Sequence, residues 1–481
     1  MAAGVALGRA TWPTWLGGLC GLLFVRALVQ SARVEGDTQA LLFSLDGIRH
    51  CLSAGQWTNC VAAGKWPLLQ YLPALPLRWS GVPLARIGDL LAYLSIAAFV
   101  GVLAVTWGTL ALRSRLVAAA AVLLLSSGLL LHYSNSSFGE ALSAFVATAF
   151  VAGWLQRRGA GVVGVLALLT CLSKETAPAF VGLLGAICAA VHRQRGKAWG
   201  ELARQESTRL AGAGCGMALG LALSIGANVF RFGVPYNAAY LLEADWAPPL
   251  RLQAEFFVAL WIAPNAGLLF FWPLLVLAMA VLPLVAWRLH RRRAAEVDWL
   301  PMIGLALFLL ALTATLAHWW APFGWWAWGS RLILPWMPAA LLIAFFGYPA
   351  AAEAVVRPVV ATAARAAAFT LVVALLATPH LSSIFHSDYF VRTTFVDRGV
   401  CPAPDSPSTY DGYYRCIEAQ AWEHPSPLLR GYRVVSTPAV RSSVILCALL
   451  AAAAGAWLWR VAQQGPEPGD RRAGAPSDYV R

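Results

Sequence analysis

The chain has 481 residues, of which 59% are hydrophobic and only 12% charged, with a formal net charge of +13. So apolar a composition excludes a soluble globular protein of this length and points to a polytopic membrane protein. The basic excess lies in short clusters at the ends of apolar runs, Arg113/Arg115, Arg157/Arg158, Arg193/Arg195/Lys197 and Arg288/Arg291/Arg292/Arg293. That pattern fixes topology and does not call for a nucleic-acid partner.

At ~20 apolar residues per span the chain is an all-α membrane protein of about twelve transmembrane helices. They are predicted near 12–31, 88–112, 116–132, 139–155, 161–174, 176–191, 208–229, 266–287, 299–317, 332–348, 360–378 and 441–459. The first run, Trp12 to Val29 with Arg26 inside it, lacks a small-x-small cleavage site and reads as an uncleaved span with its N-terminus in the cytoplasm. Alternating sides then puts every basic cluster in the cytoplasm. Outside lie residues 32–87, the turn Tyr133–Phe138, the loop 230–265, the aromatic turn 318–331 and the loop 379–440. The fifth and sixth spans are short and separated only by Ser173 to Pro178, so they are predicted to be broken or half-immersed. The division is a transmembrane region 1–378, an outer loop 379–440, a last span 441–459 and a cytoplasmic tail 460–481, rich in Gly, Pro and charge and predicted to be disordered.

In the first outer loop, Glu35-Gly36-Asp37 emerges where the first apolar run ends. One reading makes Asp37 a helix cap with Glu35 at the positive helix end; the other makes this a membrane-edge acid or base serving a lipid-borne substrate. Leu41, Leu42, Phe43, Leu45 and Ile48 between polar residues predict a helix lying in the membrane interface. Asp46 is out of phase with Asp37 on that helix, which argues against a two-carboxylate glycosidase arrangement, and it is expected to pair with Arg49 or His50. Further on, Lys65-Trp66-Pro67-Leu68-Leu69-Gln70-Tyr71 is followed by Pro73, Pro76 and Pro83, which predict a rigid, non-helical approach to the membrane. Lys65 reads either as an interfacial lysine or as a cation for a lipid phosphate.

Cys51/Cys60 and Cys401/Cys416 are the cysteines outside apolar runs, one pair in each long outer loop, where each can form a disulfide. Glu140 opens the fourth span, where a carboxylate suits the helix dipole. Lys174 and Glu175 fall between short spans and read as structural. The loop after the seventh span carries Arg231-Phe232-Gly233-Val234-Pro235 and returns through Pro264-Asn265-Ala266-Gly267-Leu268-Leu269. After the ninth span, Trp319, Trp320, Trp325, Trp326 and Trp328 exceed what an aromatic belt needs, because glycines and a proline interrupt them. Arg331 closes that run at the start of an apolar helix, where a cation is unfavourable unless an anion sits nearby. No zinc spacing, phosphate-cradling glycine loop, nucleotide fingerprint or serine elbow is present.

In their order and side of the membrane these features resemble the GT-C superfamily, the polytopic glycosyltransferases that use polyprenyl-phosphate sugars. The resemblance is to the branch of protein O-mannosyltransferases and lipid A aminoarabinose transferases, and it covers residues ~1–380 by motif order. Where that family often has Asp-Glu, this chain has Gly36-Asp37, and where it has two prolines, this chain has Trp66-Pro67. The resemblance implies a sugar moved from polyprenyl phosphate to an acceptor hydroxyl, with inversion, on the outer or periplasmic face of the plasma (inner) membrane. Asp37 would be the general base, with Glu35 as its neighbour; Lys65, Arg331 and Arg231 would offset charge on the departing phosphate; and Tyr71, Trp325, Trp326 and Trp328 would contact sugar or isoprene. The implied partners are membrane lipid, the lipid-linked sugar and a protein, lipid or glycan acceptor. No cofactor is firmly implied, and a divalent metal is compatible with the scheme. A multi-span transporter or lipid flippase is the alternative, favoured by polar mid-membrane helices and related halves, neither of which the sequence displays.

Overall fold

The computed structural model describes residues 36–126, 129–134, 139–192, 199–239, 247–263, 267–293, 298–324 and 330–356, together with 396, 399–402, 412, 415–420 and 422. The expected spans 12–31, 360–378 and 441–459 lie outside the described residues. Among the described residues the secondary structure is entirely helical.

The first loop carries two helices, α1 (Gly36–Ser53) and α2 (Leu68–Trp79). Leu41, Leu42, Leu45 and Ile48 are buried at helical spacing, and their stripe packs on Tyr71, Ala74, Ile87 and Leu91. The apolar face of α1 is therefore turned onto protein, and Phe43 alone of that set points out, 72% exposed. The Cys51–Cys60 disulfide closes the end of α1. The prolines do not keep the next segment extended: α2 is helical with Pro73 and Pro76 inside it. Two intrahelical bonds are lost, and tertiary contacts offset them. The Tyr71 hydroxyl lies 2.7 Å from Ser44 Oγ and 2.9 Å from the Ala63 carbonyl, and Arg78 holds Asp46 through both oxygens at 2.6 and 3.0 Å. Asp46 thus pairs across to α2, not with Arg49 or His50.

The bundle follows as α3 (Leu84–Leu110), α4 (Arg115–Ser126), the short α5 (Leu129–Tyr133), α6 (Glu140–Leu155), α7 (Ala160–Cys171), α8 (Ala177–Val191) and α9 (Trp199–Phe232). Then come α10 (Leu250–Ile262), the single turn α11 (Leu268–Phe271), α12 (Pro273–Arg293), α13 (Leu300–Ala317) and α14 (Met337–Gly347). Among the described residues, four helices are long and apolar enough to cross a membrane, Leu84–Leu110, Glu206–Phe232, Pro273–Arg291 and Leu300–Ala317, and a fifth joins them if Leu334–Gly347 and Pro349–Val356, bent by 109°, count as one. Pro349 accounts for the bend, because it disfavours helical geometry at the residue before it. α4, α6, α7 and α8 are shorter apolar helices. Leu219, Leu221, Leu223, Ile303, Leu307 and Leu310 are exposed on α9 and α13, the surface a bilayer covers in an integral membrane protein. α4 and α5 lie along the expected span 116–132, and the expected loop 230–265 contains α10, whose Trp261 donates to Thr313 of α13 at 3.1 Å.

α6 is apolar all round and is the buried post of the bundle, consistent with its lack of a polar face. α7 and α9 meet backbone to backbone through Gly164 and the repeat Gly212/Gly216/Gly220. A Cβ at Gly212 would overlap the Ala160 carbonyl, one at Gly216 the Gly164 carbonyl, and one at Gly220 would come within 2.7 Å of Cys171 Cβ. This is small-residue packing, the usual means of closing two helices without a hydrophobic drive between them.

Candidate functional site

At the end of the bundle that carries the first loop lies a cavity of about 540 Å³. Its floor is the N-terminus of α6, fixed to α2 because the side chain of Gln70 fills the space over Gly139. The Leu69 N–H also donates to the Leu172 carbonyl at 2.9 Å, which ties α2 to the turn between α7 and α8. One wall is apolar, with Leu221 and Ile225 of α9 and Leu312 and Leu316 of α13. Leu221 and Ile225 are 48% and 38% exposed, so this wall presents open apolar side-chain surface.

The opposite end is charged. Glu140, Lys174, Glu175 and Arg331 all line the cavity. Glu140 Oε1 lies 3.2 Å from Lys174 Nζ and 3.5 Å from Arg331 Nε. Glu140 and Arg331 are each 3% exposed. Glu140 is thus an anion of the kind the position of Arg331 called for, and its carboxylate sits between two cations. Arg331 lies ahead of the 3₁₀ turn Leu334–Trp336 that leads into α14, so it is not itself inside the helix.

Glu175 makes a second group. Asn237 Nδ2 donates to Glu175 Oε1 at 3.3 Å and to the Lys65 carbonyl at 3.2 Å. Both bonds use the amide nitrogen, so the Asn237 carbonyl oxygen faces elsewhere. That oxygen, Asn228 Oδ1 and Glu140 Oε2 are buried without a hydrogen-bond partner among the described residues, and all three residues line the cavity. A wall of buried acceptors suits a ligand rich in hydroxyl or amine donors. Burial raises the Glu175 carboxyl above its ordinary value, against the lowering effects of the Asn237 hydrogen bond, the Arg231 charge and the Asn228 hydrogen bond.

Of the residues singled out from sequence, Arg331 is on the cavity wall, and Lys65 is next to Trp66 and Pro67, which line it. Asp37 lies in the first turn of α1 beside Thr38, which lines the cavity and is buried; the Asp37 side chain, like Glu35, Trp325, Trp326 and Trp328, lies outside the described residues. Arg231 and Tyr71 are brought together away from the wall, the guanidinium 5.2 Å from the ring centroid and both groups buried. They join α9 to the first loop, as does the Cys60 N–H, which donates to the Phe230 carbonyl at 2.9 Å. Both disulfides, Cys51–Cys60 and Cys401–Cys416, are formed. Sequence reading treated Lys174 and Glu175 as structural; the structure places both on the cavity. A charged pair in a turn between two apolar helices was the available signal. Among the described residues no group of three His, Cys, Asp or Glu side chains is placed to hold a metal ion.

No protein-family model matches the chain, and no curated protein does. Among solved structures, ArnT from Cupriavidus metallidurans, crystallised in the apo state, is similar over 94% of this chain and 77% of its own, at 14% identity and a TM-score of 0.41.

Proposed function

We propose that the protein is an integral membrane glycosyltransferase that moves a sugar from a polyprenyl-phosphate donor to an acceptor hydroxyl at the outer face of the membrane. The observation that carries this reading is the union, in one cavity, of an apolar wall, two cations gathered about Glu140 and the first turn of the helix bearing Asp37. A lipid-linked sugar phosphate has these three parts: a hydrocarbon tail, one phosphodiester charge and a hydroxylated ring beside the acceptor. The apolar wall of α9 and α13 suits the tail. Lys174 and Arg331 on the cavity wall suit the phosphate, with Lys65 near the same rim and Arg231 contributing from behind Tyr71. The buried acceptors of Asn228, Asn237 and Glu140 suit the sugar hydroxyls.

The chemistry then needs little more. As the acceptor oxygen attacks the anomeric carbon, Asp37 takes its proton, and the bond from that carbon to the phosphate oxygen breaks with its electron pair leaving on the phosphate. Attack from the face opposite the phosphate inverts the anomeric centre. The leaving group gains negative charge as it departs, so cations held in a partly dehydrated cavity favour the transition state over the bound donor.

The test is transfer by the purified full-length chain in lipid nanodiscs, offered radiolabelled sugars either on short polyprenyl phosphates or on nucleoside diphosphates. Transfer from the lipid-linked class alone is expected, with the anomeric configuration of the product inverted. Transfer from the nucleotide class alone, or none from either while labelled lipid crosses the bilayer, would overturn the reading.

A further inference from the structure

We infer that the outer segment stapled by Cys401–Cys416 sets the position of Arg331 in the cavity, with Glu418 as the positioning residue; this rests on the assignment of Arg331 to the donor phosphate. The segment is a single helical turn at 415–419 within the loop 379–440, and Cys416 in that turn is bonded to Cys401. It does not lie loosely on the surface, because Ile417 and Glu418 are both 0% exposed. A carboxylate so deeply buried needs a specific counterpart. Glu418 Oε2 accepts the backbone N–H of Phe323 at 3.0 Å.

Phe323 belongs to the turn that ends in Arg331. Its ring is buried edge-on against Phe256 of α10 at 5.9 Å, and the next residue is Gly324, with φ of +85°. The Gly324 N–H donates to the Ala321 carbonyl at 2.9 Å, which closes the turn. A Cβ on Gly324 would come within 2.7 Å of Arg331 Nε and 3.4 Å of its Cζ. The guanidinium therefore rests directly on the Gly324 backbone, and from there it reaches Glu140. A continuous series of contacts runs from the disulfide through Glu418, the Phe323 N–H and Gly324 to Arg331. Without the Glu418 acceptor the Phe323 N–H is orphaned and the backbone platform under Arg331 is released. Transfer would then depend on a segment far along the chain from every cavity residue, and on an oxidising compartment that keeps its disulfide closed.

The test is the affinity of the full-length protein in nanodiscs for a short-chain polyprenyl monophosphate, read from the fluorescence of Trp66, Trp319 and Trp336, which line the cavity. Glu418→Ala is expected to weaken binding by about tenfold or more, whereas Glu418→Gln, which keeps an acceptor oxygen, stays within about threefold of wild type. Arg331→Ala weakens binding as well, and Glu418→Ala added to Arg331→Ala produces no further loss, because the first residue acts through the second. Losses that add in the double variant, or Glu418→Ala binding as wild type while Arg331→Ala does not, would overturn the inference and leave the glycosyltransferase reading standing. If Arg331→Ala itself binds normally, the phosphate assignment falls and takes the inference with it. Should Glu418→Ala fail to fold, the double variant Cys401→Ser/Cys416→Ser, which leaves Cys51–Cys60 closed, provides the same comparison: weaker binding with Arg331 present, and no additional loss in the Arg331→Ala background.

Discussion

The carboxylate of Glu140, at the first turn of a helix buried on every side, lies 3.5 Å from the guanidinium of Arg331, and the same oxygen faces Lys174 at 3.2 Å. Removing one partner of a buried pair leaves an uncompensated charge, which costs on the order of 3–5 kcal/mol. Glu140→Ala is therefore expected to lower the unfolding temperature in detergent clearly; Lys174, whose side chain is 24% exposed, contributes the smaller part. Dodecyl phosphate should restore more stability to the variant than it adds to wild type, because a bound anion replaces the lost carboxylate. Equal stabilisation of both proteins would argue against the cluster as an anion site.

The approach of α7 to α9 makes a second prediction. Gly216→Ala places a methyl group on the Gly164 carbonyl and is expected to destabilise by about 1–3 kcal/mol through overpacking. Gly214, two residues away on the same helix, has nothing within 4 Å of its added Cβ, so Gly214→Ala should be neutral or slightly stabilising. Thermal unfolding of the two variants side by side checks this, and similar behaviour would contradict the packing described.

Glu175 imposes a pH dependence. Its folded carboxyl holds its proton above the ordinary value of 4.5, chiefly through burial, so between that value and the raised one the native state binds more protons than the unfolded chain. Its contribution to stability is fully present below the ordinary value, falls as pH rises through the window, and is level beyond it. Unfolding temperatures measured from pH 4 upward should show wild type losing stability relative to Glu175→Gln as pH rises. A relative gain would mean that the surrounding amides and Arg231 outweigh burial.

The Cys51–Cys60 bridge closes a short loop behind α1, with a separation of 9 residues. Loop-closure entropy for such a ring is about 2–4 kcal/mol. Cys51→Ser/Cys60→Ser is expected to expose the α1–α2 connection to protease well before the bundle unfolds. Unchanged proteolysis would indicate that the Tyr71 and Arg78 contacts alone hold the loop.

The long apolar helices among the described residues and the disulfides were legible because each depends on local pattern: apolar runs of span length, and one pair of cysteines in each of two polar loops. The charged pairings were not. Asp46 with Arg78, and Glu140 with Lys174 and Arg331, are set by how helices cross, and no spacing along the chain encodes them. Asp46 could be matched only to the neighbours on its own helix, and Glu140 only to its own dipole. Pro73 and Pro76 gave a true local signal against helix that tertiary packing of Tyr71 and Arg78 overrode. α10 was read as loop because Arg251, Gln253 and Glu255 interrupt its apolar run, whereas Phe256, Ala259 and Leu260 bury the other face. The position of Arg331 beside a helix start implied an anion, and it was a protein carboxylate that answered.

The most direct measurement is transfer of labelled sugar from a membrane polyprenyl-phosphate pool by wild type and by Asp37→Asn at matched expression and folding. Asn keeps the size and the hydrogen-bonding reach of the side chain and removes its basicity, so the loss is confined to proton transfer. Transfer lowered by a factor of about 100 or more, with polyprenyl monophosphate still bound, is the predicted result. Transfer by Asp37→Asn at the wild-type rate would contradict the account and move the base to another carboxylate of the cavity.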